Sequence, residues 1–142
     1  MTVWDKEEHE KMYVLRSKFR EELKQDFPSA FRFVGDRHRF IEAWVGEGWH
    51  HLVRELSERV EENENKPYVV QIKEKLGYLH FYISWYDDDI RAAINAVCHK
   101  SMSVCEECGK PGELDESLSW IKTVCPEHKK ARSALRDAYN KE

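Results

Sequence analysis

Apolar residues return along this chain at two different periods, and the switch between them divides it. Over residues 2–27, Met12, Leu15, Phe19, Leu23 and Phe27 recur every three or four positions, the spacing of one face of a helix. Thr2 and Asp5 stand at capping-box spacing ahead of it, and Pro28 with Ser29 ends it. Asp36 can cap a short helix running to Trp44, after which Gly46-Glu47-Gly48 turns the chain. Leu52, Val53, Leu56 and Val60 mark a second long helix over residues 49–62. It frays into Glu61-Glu62-Asn63-Glu64-Asn65 before Pro67, an acidic run that reads as a solvated helix end and turn.

The period then drops to two. Residues 68–75 and 77–85 are rich in β-branched and aromatic side chains and enclose a glycine turn, which predicts a hairpin. Alternation puts Val70 and Ile72 on one face of the first strand. On the second it puts Leu79, Phe81 and Ile83 on one face, with Tyr78, His80 and Tyr82 opposite. Asp87, Asp88 and Asp89 suit a helix N-terminus, and Ile90, Ala93, Ile94 and Val97 carry that helix toward Ser101. A short strand over 120–124 precedes a last helical run through Ala131, Leu135, Ala138 and Tyr139.

The four cysteines change the picture from a plain fold to a candidate chemistry. Cys105-Glu106-Glu107-Cys108 has the spacing at which a tight turn points two sulfurs at one ion, and the Gly109-Lys110-Pro111-Gly112 that follows fits that turn. Cys125-Pro126-Glu127-His128 supplies a second pair at the start of the last helix, with Pro126 at a favoured early position and His128 one turn on. Four thiol and imidazole donors predict one structural zinc ion per chain, held by Cys105, Cys108, Cys125 and His128, in a treble-clef-like order of knuckle, hairpin and helix. The fourth cysteine, Cys98, reads as a small apolar residue of the preceding helix, and His99 as a surface or capping residue. His50 and His51 are adjacent on a helix, where two imidazoles rarely converge on one ion, so one edge-buried and one solvated histidine are expected.

The expected architecture is therefore α+β, with long helices packed on a β-hairpin and a C-terminal zinc module. Residues 1–101 form the helical and hairpin domain, and 102–142 the zinc-binding module packed on it. Trp4, Phe31, Phe33, Trp44 and Trp49 are expected in the core, where aromatics contribute most burial.

Charge narrows the partners. With 142 residues and a net charge of −4, the chain has no global attraction for a polyphosphate. Lys and Arg number eight over residues 99–142 and Asp and Glu also eight, so the zinc module is balanced as well. A local basic strip of Lys129, Lys130, Arg132 and Arg136 is the one feature that favours nucleic acid. No apolar run is long enough to span a bilayer and no leader precedes the first helix, so a cytoplasmic protein without a membrane partner is expected. Four filled ligand positions leave no room to activate water. The interval 109–124 also lacks the histidine that a nuclease of HNH type carries inside such a motif.

Gly48-Trp49, Val70-Gln71-Ile72-Lys73-Glu74-Lys75-Leu76-Gly77 with Leu79, Phe81 and Tyr82, and then the two ligand pairs with Trp120 between them, occur in combination. Over residues 46–130 this combination resembles a group of small, uncharacterised bacteriophage and prophage proteins. The resemblance implies the cytoplasm of an infected bacterium as the setting and supplies no catalytic residues. The first reading is a non-enzymatic interaction protein that binds a host protein or nucleoprotein, to block a defence or redirect a host process. The second is a zinc-finger protein that binds nucleic acid directly, and the third a metal-dependent nuclease or hydrolase.

Overall fold

The computed structural model describes residues 6–36, 39 and 45–140. Among these residues the fold is α+β, with four α-helices and two small antiparallel hairpins. The chain runs α1 (Lys6–Asp26), a 3-10 turn (Glu47–Trp49), α2 (His50–Glu62), β1 (Val69–Lys75), β2 (Tyr78–Ile83) and α3 (Asp88–Lys100). After a second 3-10 turn (Ser101–Ser103) come β3 (Glu113–Asp115), β4 (Lys122–Val124) and α4 (Pro126–Asn140). Thr2, Trp4, Asp5 and Trp44 lie outside the described residues, as does most of the short helix expected after Asp36. No described helix is long and apolar enough to cross a membrane.

The helix–hairpin interface makes the main core. Leu52, Val53, Leu56 and Val60 form the stripe that α2 turns inward, where they meet Leu79, Phe81 and Ile83 of β2 and Ile90, Ile94 and Val97 of α3. Burying each of the larger side chains contributes about 1.5–3 kcal/mol, so this contiguous set supplies most of the fold's apolar stabilisation. Asp87 caps α3 by accepting the Ile90 amide at 2.7 Å. Glu61, in the acidic run at the end of α2, accepts the amides of Ser29 and Ala30 at 3.1 and 2.7 Å and so ties the turn after α1 to α2. Of the expected core aromatics, Phe31 and Trp49 are fully buried, while Phe33 is half-buried with its ring edge-on to Tyr68.

Two departures from simple periodicity stand out. On β1 the buried residues are Val69 and Ile72, and Val70 is only half-buried. The pairing shifts between Val69, opposite Ile83, and Gln71, opposite Tyr82, so one residue is inserted and the inward face changes parity. On α1 only Phe19 and Leu23 of the apolar stripe are buried, and Met12 and Leu15 remain 39% and 45% exposed.

Candidate metal centre

The site is built by two turns and a helix start. At the first turn the Gly109 amide donates to the Cys105 carbonyl at 2.9 Å and the Cys105 amide to the Lys110 carbonyl at 2.8 Å. Gly109 completes this knuckle with a φ of +81°, a conformation that a side chain would resist. Antiparallel pairing of β3 with β4 returns the chain, and the Glu106 amide donates to the Thr123 carbonyl at 3.0 Å, which sets Cys125 beside the knuckle. Pro126 opens α4, and the Lys129 amide reaches the Cys125 carbonyl at 2.9 Å, forming the first helical turn that carries His128 back to the sulfurs.

The four sequence-predicted ligands meet. One donor atom from each of Cys105, Cys108, Cys125 and His128 lies within 4.8 Å of the others, close enough to hold a metal ion. Cys108 Sγ and Cys125 Sγ are 3.8 Å apart, and His128 Nδ1 stands 3.6 Å from Cys105 Sγ and 3.1 Å from Cys125 Sγ. The His128 backbone N–H, at the helix start, hydrogen-bonds Cys125 and pulls its thiol down to about 6, toward the thiolate that a metal requires. Cys105 and Cys125 are buried with Val124 in a small cluster of their own, while Cys108 is exposed.

The other candidates stay out of it. Cys98 is half-buried against the main core, where burial pushes its thiol up to about 11. His50 stacks on Phe19 with ring centroids 3.6 Å apart, and burial lowers its pKa, while His51 and His99 are exposed. Within the basic strip, Arg132 donates to Asp115 Oδ2 at 2.6 Å and also to the Trp120 carbonyl, and Arg136 pairs with Asp137. Arg132 thus clamps α4 onto the β3–β4 hairpin and is not free to serve as a phosphate contact.

The residues that join the metal cluster to the main core were not apparent from ligand spacing. Gly48 donates its amide to the Glu106 carbonyl at 2.8 Å, and Gly46 donates to Glu106 Oε2 at 2.9 Å. Thr123, fully buried, donates its hydroxyl to the Gly77 carbonyl in the β1–β2 turn at 2.6 Å. Glu106 is buried with this seam, and the burial raises its carboxyl above the usual range. The sequence signal for the seam was the close pair Gly46 and Gly48, where a Cβ on either would meet the backbone of Glu106. Comparison of the chain with protein-family models, with curated proteins and with solved structures returns no match.

Proposed function

We propose that this chain is a zinc-stabilised interaction protein without catalysis of its own, whose metal fixes the C-terminal hairpin and α4 against the helical core. The observation that carries the reading is the donor set: three thiols and one imidazole converge, two of the sulfurs are buried, and the supporting backbone belongs to the seam with the main core. A tetrahedral zinc with Zn–S bonds of about 2.3 Å and a Zn–N bond of about 2.0 Å has edges of roughly 3.8 Å between sulfurs and roughly 3.5 Å from sulfur to nitrogen. The Cys108–Cys125 and Cys105–His128 separations match these values, and the Cys125–His128 edge is the shorter one. Soft thiolates select zinc over the oxygen-loving divalent ions, and four protein ligands leave no position for a reactive water. Knuckle, β3–β4 hairpin and α4 follow one another in treble-clef order.

A partner protein is favoured over direct nucleic-acid binding because Arg132 and Arg136 of the basic strip are engaged in ion pairs, while Trp120 is 68% exposed beside Met12 and Leu15. Exposed aromatic and apolar side chains are the usual anchors of protein interfaces. The bacterial host as setting is supported by the sequence resemblance to phage proteins.

The metal is tested by elemental analysis, with one zinc per chain expected. Cys105→Ala with Cys125→Ala should lose it and Cys98→Ala should keep it; zinc loss in the Cys98 variant would mean a different ligand set. The partner is tested by passing bacterial lysate over the tagged protein. Retention of a defined protein after nuclease treatment and at moderate salt supports this reading. Capture that vanishes with nuclease or falls steeply with salt supports nucleic-acid binding.

A further inference from the structure

A cavity of about 440 Å³ opens where α1, the Glu47–Trp49 turn, the knuckle and Trp120 meet. Met12, Leu15, Val45 and the exposed Trp120 make its apolar lining. Its charged lining comprises the carboxylates Glu47, Glu74, Glu106 and Glu107 with the cations Arg16 and Lys122. Lys122 is already paired with Glu107, which leaves three carboxylates facing one arginine. His50 also lines the cavity, and its buried Nε2 has no hydrogen-bond partner among the described residues.

Two of the carboxylates keep one oxygen each outside the hydrogen bonds of the fold. Glu106, only 6% exposed, uses Oε2 to accept the Gly46 amide, and its second oxygen has no hydrogen-bond partner among the described residues. Glu74 accepts the Gly77 amide through Oε1, and its second oxygen likewise has none. Carboxylates that outnumber the cations around them call for a cationic donor. Trp120, Met12 and Leu15 in the same lining suit a cation carried on an apolar stem.

We propose that this cavity receives an arginine side chain of the partner protein, its stem along Met12 and Leu15 and its guanidinium between the Trp120 ring and Glu74 and Glu106. Arginine fits better than lysine because a planar guanidinium stacks on an indole and still donates in its plane to two separated carboxylates, whereas an ammonium is a compact point charge with a stronger hold on water. The occupant being a protein rests on the reading above; the selectivity of the cavity for a guanidinium does not.

The test is an NMR titration of the zinc-loaded full chain with a blocked pentapeptide bearing one arginine among glycines and serines, and with its lysine, citrulline and norleucine counterparts. The arginine peptide should move the Trp120 indole and Gly46 amide resonances with an affinity on the order of millimolar, the lysine peptide should bind several-fold more weakly, and the two uncharged peptides should leave them in place. Glu74→Gln with Trp120→Ala should weaken arginine binding by about tenfold or more at unchanged zinc content; the glutamine keeps an acceptor for Gly77 and Trp120 is exposed, so the fold survives. Equal binding of the citrulline or norleucine peptide, no shift with the arginine peptide, or full binding by the double variant would overturn the assignment. If the double variant still captures its bacterial protein while failing to bind the peptide, the cavity is not the partner's docking site and the protein-binding reading survives without it.

Discussion

The indole N–H of Trp49 donates to the carbonyl of Val104 at 2.7 Å. Trp49 is fully buried in the helix–hairpin core and Val104 immediately precedes the first candidate metal ligand, so one side chain belongs to both halves of the molecule. Next to it, the amide of Gly48 bonds the Glu106 carbonyl at a distance that only a bare Cα permits. A Cβ at Gly48 would overlap the Cys105 carbonyl oxygen and the Gly109 amide, both of them backbone of the knuckle.

Gly48→Ala should therefore destabilise the protein by about 2 kcal/mol or more, since the clash falls on backbone that cannot swing away. It should also weaken metal affinity, because relieving the overlap moves the Cys105–Cys108 turn. Chemical denaturation together with competition against a zinc chelator reads both effects. A variant with wild-type stability and wild-type zinc affinity would show that the seam is not rigid.

The ligand quartet was legible because its information is local: a two-residue spacing in each pair, Gly109 after the first and Pro126 inside the second. The helices were legible for the same reason. The inward face of β1 was not, because alternation assigns it by parity and the bulge at Val70 resets parity without any glycine or proline to announce it. The cavity was hidden too, since Met12 and Leu15 share the stripe of Phe19 and Leu23, and periodicity does not tell the exposed pair from the buried one. The bulge predicts an asymmetry between neighbours. Val69→Ala removes fully buried methyl groups and should cost about 2 kcal/mol, while Val70→Ala, at a half-buried position, should cost less than about 1 kcal/mol. The reverse ranking in urea unfolding would restore the simple alternating strand.

Arg132 offers a direct test of structure against nucleic-acid recognition. Its guanidinium spans Asp115, whose side chain is 1% exposed, and the Trp120 carbonyl, so Arg132→Ala leaves a carboxylate buried without its cation. The expected loss is about 3 kcal/mol, softened by the Ser117 amide and hydroxyl that also bond Asp115. Arg132→Lys should recover only part of it, since an ammonium cannot span both acceptors. Thermal unfolding measures this, and unchanged stability in both variants would return Arg132 to the pool of surface charges available for phosphate.

The pH dependence of stability should carry a contribution from His50. Burial holds its folded-state pKa below the ordinary 6.5, opposed by the nearby Glu47 and Glu22, so the unfolded chain binds the proton more readily than the folded one. Stability from this residue is complete above pH 6.5 and is lost as pH falls from there through the folded-state pKa. Protonation of the candidate metal ligands would also act in acid, so the readout is a difference between two proteins. His50→Gln, which cannot titrate, should lose less stability than the wild type between pH 7 and the acid side of 6.5, with zinc content followed in parallel. Equal slopes at equal zinc content would mean that the imbalance of protons between folded and unfolded chains does not reside in His50, and that the ring stacked on Phe19 is as free to charge as one in water.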